Sequence, residues 1–264
     1  MEKLTQTFRV DLTDIGSNFG MRPSAVLKYY QEVFARYCAI HNVAGYNVDQ
    51  YGLKWVFGQT IVNYSTIIPI WNEKLIATVY VGNVKKLRLY LNFEISSPRG
   101  VVATGQGVAF LLDKNTSRPQ PVDLAVERFK IDPKEANGEI LVADFSKNGE
   151  LVSTNNHTIT FMDLDYNKHT NNISYLLLGV EGMPAEFVKV HHPRTIAIKY
   201  LQETFLGDTL EIKTYQDGEE FLYDIVKAED NSSVCTIKAN WQAYEFTPDD
   251  YYKVLAEVLG SVGD

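Results

Sequence analysis

Asp163-Leu164-Asp165-Tyr166-Asn167-Lys168-His169-Thr170-Asn171-Asn172 runs directly into Ile173, Leu176, Leu177 and Val180, which are spaced i, i+3, i+4, i+7. That spacing is one apolar face of a helix. The polar residues before it bring carboxylates, an imidazole and amides to the approach of a helix N-terminus. There the first backbone N–H groups lack partners within the helix, and the dipole favours negative charge. An oxyanion developing on an acyl group could be held at such a place. The same residue types also cap helices and shape turns. Taken alone, the segment leaves both readings open.

Outward from this segment the pattern is a strand, a helix and a set of strands. A short strand is expected at His157–Met162. Beyond the helix, strands are expected at Thr195–Phe205, Thr209–Gln216, Glu219–Lys227 and Ser232–Ala243, rich in Val, Ile, Tyr and Leu. Gly207-Asp208, Asp217-Gly218 and Asp230-Asn231 between them are turn chemistry. The first half repeats the order. Phe8-Val10-Leu12 alternates as a strand, Pro23 suits a first helical turn, and Val26, Tyr30, Val33, Phe34, Tyr37 and Cys38 follow at helical spacing, with Gly45 as the expected stop. Strands are expected at Lys54–Ile68, Lys74–Val81, Lys85–Ile95 and Val101–Leu112. The turn Trp71-Asn72-Glu73-Lys74-Leu75 matches Leu206-Gly207-Asp208-Thr209-Leu210 in position. Thr247-Pro248-Asp249-Asp250 reads as the capped start of a last helix. The fold class is α+β, with two copies of a long helix laid on an antiparallel sheet. The expected division is 1–130, a connection at 131–155, and 156–264.

Asp-Leu-Asp-x-Asn-x-His-x-Asn-Asn resembles the signature of the plant and bacterial acyl-[acyl-carrier-protein] thioesterases. Tyr200-Leu201-Gln202-Glu203-Thr204 is similar to that family's second motif, Tyr-Arg-Arg-Glu-Cys, and stands at the family's distance from the first. The motif match covers Asp163–Glu203, and the order of elements extends it over nearly the whole chain. The resemblance implies tandem hotdog domains, a catalytic second half, and a first half that shapes an acyl tunnel. It implies hydrolysis of a fatty acyl thioester by activated water. In that scheme Glu203 is the base, facing inward among apolar strand residues. His169 orients the carboxylate or its water, Asn167 fixes the water or the carbonyl, and Asp165 holds His169 or Asn167. Asp163, Asn171 and Asn172 are expected to be caps and turn residues. Thr204 stands where plant members often carry Cys, so a cysteine nucleophile has no residue at that position. The corresponding approach in the first half, Asp14-Ile15-Gly16-Ser17-Asn18-Phe19-Gly20-Met21, has an Asn but no His. Val33, Phe34, Tyr37, Trp55 and Phe57 are candidate tunnel liners, with ordinary core packing as the alternative for each.

The formal net charge of −8, with 45% hydrophobic and 12% aromatic residues, describes a folded acidic protein and argues against a nucleic-acid partner. The implied partner is acyl carrier protein bearing a phosphopantetheine-linked chain. Because that carrier is acidic, Lys189, Arg194, Lys85, Lys86 and Arg88 are candidate docking residues. His191-His192 lacks a third ligand at a metal-type spacing, and Cys38 and Cys235 are too far apart for a C-x-x-C site. No metal and no dissociable cofactor are expected. No apolar run approaches the ~20 residues of a membrane span. With no signal-peptide core, the expected address is the cytoplasm, as a monomer or homodimer. An acyl-coenzyme A thioesterase and a non-catalytic acyl-binding protein remain the alternatives on this scaffold.

Overall fold

The computed structural model describes residues 2–244 and 246–260. In chain order its elements are β1 (Lys3–Arg9), α1 (Pro23–Ile40), α2 (Gly45–Asp49), β2 (Leu53–Tyr64), β3 (Lys74–Lys85), β4 (Arg88–Ser97), β5 (Gly100–Asp113), β6 (Pro119–Gln120) and α3 (Asp123–Arg128). They continue with β7 (Glu150–Thr158), α4 (Asn172–Glu181), α5 (Ala185–Val190), β8 (His191–Tyr200), β9 (Thr209–Asp217), β10 (Glu220–Lys227), β11 (Ser233–Ala243) and α6 (Pro248–Gly260). The strands form one antiparallel sheet in the order β1-β3-β4-β5-β2-β8-β11-β10-β9-β7, with β6 added beside β5. Read from either end towards the β2/β8 pair, the order of elements is the same. The duplication therefore closes through backbone hydrogen bonds between the two halves, and the fold is a double hotdog.

Several boundaries differ from the sequence expectation, each for a local reason. The first strand is Lys3–Arg9, because Leu12–Asp14 turns into a 3-10 helix. The second-half counterpart is Glu150–Thr158 in place of His157–Met162, since Phe161–Asp163 makes the same 3-10 turn. The first helix stops at Ile40, where Asn42 takes a left-handed φ of 57°; Gly45 opens α2 instead of closing α1. β8 ends at Tyr200, short of Phe205. There the amides of Leu201 and Gln202 both donate to Val234 O, at 2.9 and 3.1 Å, and the chain peels off the sheet. Thr247 and Asp250 bond reciprocally at the start of α6, the expected cap.

Both long helices lie on one face and touch each other. α1 presents Val26, Tyr30, Val33 and Tyr37 to the core, and α4 presents Tyr175 and Leu176. Gly107 sits directly beneath Tyr30, so close that a Cβ there would lie 2.9 Å from the ring carbon bearing the hydroxyl. The opposite face of the first-half sheet is crossed by the connecting segment. Gln106 donates from Nε2 to Glu139 O (2.9 Å) and accepts at Oε1 from Leu141 N (3.0 Å), while Gly138 N donates to Gly82 O (3.0 Å). Among the described residues, no helix is long and apolar enough to cross a membrane.

In the loop before β3, Glu73 is buried and binds Arg99 at both carboxylate oxygens (2.9 and 2.7 Å), and it also accepts from Ile70 N (3.1 Å). Truncating one partner leaves an uncompensated charge in a poorly solvated site. Glu73→Ala is expected to cost about 3 kcal/mol, seen as a lowered thermal midpoint, with Glu73→Gln losing less.

Candidate functional site

The loop Asp163–Thr170 is closed by its own backbone. Asp165 N donates to His169 O (2.8 Å), Lys168 N donates to Asp165 O (3.0 Å), and Leu164 bridges Thr170. Lys168 has a left-handed φ of 67° to make this turn. Asp165 Oδ1 accepts from the amides of Asn167 (2.8 Å) and His169 (3.2 Å), so this carboxylate grips the loop's backbone rather than the imidazole. Its Oδ2 lies 3.4 Å from Asn167 Nδ2. Asn167 is exposed, on the wall of the cavity described below.

The caps fall where expected. Asn171 accepts from Ile173 N at the start of α4, and Asp163 binds Thr160 and, at 3.0 Å, His157. Burial opposes ionisation of the Asp163 carboxyl, but its hydrogen bonds from His157 and Thr160 prevail and hold it below the usual carboxylate range.

Glu203 lies in the irregular segment after β8. Its side chain is 31% exposed, which corrects the expectation of a carboxylate enclosed by apolar strand residues. Polar neighbours surround it instead. His169 Nδ1 approaches Oε1 at 3.3 Å, and Lys54 Nζ donates to Oε1 and Oε2 at 2.9 and 2.7 Å. Phe205 meets the His169 ring edge-on at 5.1 Å. The next residue, Thr204, is fully buried and ties the segment down. Its O accepts from Thr170 N (2.9 Å), and its Oγ1 bonds Thr170 Oγ1 (2.7 Å) and Tyr175 Oη (2.8 Å). Thr204 is thus the pin that holds the Glu203 segment against the His169 loop. Burial pushes the Tyr175 hydroxyl up to about 12, so it stays protonated and able to donate.

The first half carries the same loop without the chemistry. Gly16 N donates to Gly20 O (2.9 Å), Phe19 has φ 64°, Ile15 bridges Met21, and Met21 N donates to Pro69 O (2.8 Å), as Thr170 N does to Thr204 O. By this correspondence Gly20 stands for His169 and Ile68 for Glu203. A Cβ on Gly20 would lie 2.6 Å from Ile68 Cγ2, so no side chain fits there as packed.

An apolar cavity of about 1330 Å³ adjoins the His169–Glu203 pair. It exists because β2 pairs with β8 only at Gln59–Asn63; the first residues of β2 stay on β5 and diverge from the chain beyond Tyr200. One wall is Phe34, Ala35, Cys38, Trp55 and Phe57; the other includes Val56, Phe110, Leu112, Ile140 and Val142. Of the proposed liners, Phe34, Trp55 and Phe57 reach the cavity. Val33 and Tyr37 do not: they lie on the core face of α1, with Tyr37 stacked on Phe129 at 4.8 Å. Of the basic candidates, Arg88 lines the cavity, and Lys85 and Lys86 are in the adjoining β3–β4 turn. Lys189 and Arg194 stand at the other end of β8, roughly 20 Å up the strand, where Lys189 pairs with Glu186. His191 is stacked on Phe187, while burial pushes the His192 imidazole down to about 4. The sequence reading missed Lys54, whose partner is 149 residues away, and the wall supplied by the connecting segment.

Residues 146–243, including both motifs, match the family model described as Acyl-ACP thioesterase C-terminal domain. Over that stretch the chain is similar to the acyl-ACP thioesterases. It is 22% identical to a chloroplastic dodecanoyl-[acyl-carrier-protein] hydrolase of Cinnamomum camphora, over 90% of this chain and 67% of that protein. It is equally identical to a chloroplastic palmitoyl-acyl carrier protein thioesterase of Cuphea hookeriana, over 90% and 61%. The structure of a 12:0-ACP thioesterase from Umbellularia californica superposes with a TM-score of 0.80 at 18% identity, covering 91% of this chain and 97% of that one. An acyl-ACP thioesterase from Bacteroides thetaiotaomicron gives 0.76 at 20% identity, covering 91% and 98%. At these identities the superpositions show a shared fold.

The Thr204 pin is open to test. Thr204→Val leaves the buried hydroxyls of Thr170 and Tyr175 short of a partner. It is expected to cost about 1–3 kcal/mol in chemical denaturation, with Thr204→Ser close to wild type.

Proposed function

We propose that this chain hydrolyses fatty acyl-[acyl-carrier-protein] thioesters to free fatty acid and carrier, with Glu203 activating the water. The observation that carries the reading is the Glu203 carboxylate, 3.3 Å from His169 Nδ1, on the wall of an apolar cavity of about 1330 Å³. That volume exceeds the several hundred Å³ of an ordinary small-ligand pocket and suits a long chain together with its carrier arm.

Water bound at Glu203 gives a proton to the carboxylate as its oxygen bonds to the thioester carbonyl carbon, and the C=O electron pair moves onto the carbonyl oxygen. When that oxyanion collapses, C=O re-forms and the C–S bond breaks. The departing thiolate recovers the proton from Glu203. One thioester and one water give one acid and one thiol. His169 orients the carboxylate. Asn167, exposed on the cavity wall, holds the water or the carbonyl. Asp165 acts at one remove, fixing the loop through the amides of Asn167 and His169.

No covalent acyl-enzyme is needed. Thr204 is fully buried and bonded on all sides, and burial pushes the Cys38 and Cys235 thiols well up, away from the reactive thiolate. Phe34, Trp55 and Phe57 face the acyl chain. Arg88, with Lys85 and Lys86 beside it, meets the acidic carrier; the support is that Arg88 lines the cavity. The chain acts in fatty acid synthesis, in the cytoplasm, where two unpaired buried thiols are the ordinary state of cysteine. The two half-sheets pair within one chain, which supports a monomer, with a homodimer as the alternative.

Hydrolysis over a chain-length series, for carrier-protein and coenzyme A thioesters in parallel, tests the reading. Glu203→Ala is expected to lose roughly two to four orders of magnitude with an unchanged thermal melt. Equal activity in the mutant removes Glu203 as base, no turnover by wild type favours an acyl-binding protein, and a preference for the coenzyme A ester changes the carrier. The Cys38→Ser/Cys235→Ser double variant is expected to retain activity wherever its melt is intact.

A further inference from the structure

Lys54 belongs to the half of the molecule that has lost the motif residues, yet its ammonium touches both oxygens of Glu203. The two residues are 149 positions apart, with side chains 19% and 31% exposed. Lys54 sits on the part of β2 that has parted from β8, and its side chain reaches Glu203, which lines the cavity. Holding a long cationic side chain in a partly desolvated gap is costly, and apolar packing would join the halves as well or better. The pair is therefore poorly explained as a structural brace.

The oxygens of Glu203 are not equivalent. Oε1 is shared between Lys54 and His169, whereas Oε2 is bonded to Lys54 alone among the described residues. Each carboxylate oxygen has two acceptor sites. Oε2 thus keeps one for a water. We propose that Lys54 is a positioning residue of the reaction, holding Glu203 turned so that Oε1 meets His169 and Oε2 receives the water. This rests on Glu203 being the base. It means that the first half, with Gly20 and Ile68 where the second has His169 and Glu203, completes the other half's site with a cation.

The groups facing Glu203 come from several elements: Lys54 from β2, His169 from the loop, and the protonated Tyr175 hydroxyl from α4, which senses the Glu203 charge. Asp165 stands behind His169, bonded to the loop amides, and Lys199 and Lys227 also line the cavity. A cation bonded to both oxygens fixes the direction in which the carboxylate points. Removing it leaves Glu203 free to turn away from the water.

The experiment measures kcat and KM for wild type, Lys54→Met, Lys54→Gln, Lys54→Arg, Glu203→Gln and Lys54→Met/Glu203→Gln, using an acyl-carrier-protein thioester, with a thermal melt of each. Lys54→Met is expected to lower kcat about 10- to 100-fold with KM nearly unchanged. Lys54→Arg should restore most of the rate, and Lys54→Met should add nothing once Glu203 is Gln. Wild-type kcat in a folded Lys54→Met overturns the proposal. So does an effect confined to KM that persists in the Glu203→Gln background, which would make Lys54 a substrate-binding residue. A collapsed melt in both Lys54→Met and Lys54→Gln overturns it by making the pair a brace after all. Wild-type activity in Glu203→Gln would remove the base assignment itself, and this proposal with it.

Discussion

Between Gln59–Asn63 and Thr195–Lys199 the two halves of the chain share one short antiparallel ladder, and both the fold and the site depend on where that ladder stops. Along it, two half-sheets become one continuous sheet, and the edge each would present alone is paired away. Beyond it, β2 remains on β5 while the second-half chain turns off after Tyr200, drawn by the double donation to Val234 O. A full-length pairing would give a wider interface and no cavity. The early parting opens the space beside Trp55 and Phe57 and sets Glu203 free of the sheet. It also brings Lys54 within reach of Glu203.

The site is held mainly by main-chain geometry. The loop before α4 closes on itself, Asp165 collects two of its amides, and Thr204 pins the Glu203 segment through a buried hydroxyl network. The same loop exists before α1 with nearly the same hydrogen bonds, carrying Gly20 and Ile68. Geometry and chemistry are thus separable here. The backbone scaffold persists in the first half as a packing unit, whereas the chemistry needs an imidazole, a carboxylate and the room between them. Where one half shows a gap, the other shows an aliphatic contact.

The cavity lining mixes apolar and charged surface. Aromatic and aliphatic side chains dominate it, and Arg36, Arg88, Lys199 and Lys227 add positive charge. A substrate with an apolar chain and an anionic carrier arm has complementary surroundings in both parts. The connecting segment, whose charged and irregular sequence reads as a tether, supplies Ile140 and Val142 to the cavity wall because Gln106 anchors it through Glu139 and Leu141.

The repeated order of elements, both long helices and the caps at Asn171 and Thr247 were legible in the sequence, because each rests on local periodicity or on residues close in the chain; the approach of His169 to Glu203 was expected only from the resemblance of the two motifs to the family's. The inert loop of the first half was legible too, since its lack of His is a matter of composition. Other features were decided only by tertiary structure. Glu203 sits in a loop because a strand pattern cannot reveal that its partner strand has left. Val33 and Tyr37 face the core while Phe34 and Cys38 face the cavity, since which stripe of an apolar helix meets empty space depends on what packs against it. Lys189 and Arg194 lie far from the cavity because a strand separates them from it. Lys54 reaches the carboxylate across 149 residues, and no sequence periodicity carries that contact, which exists only where two separately encoded half-sheets meet and part.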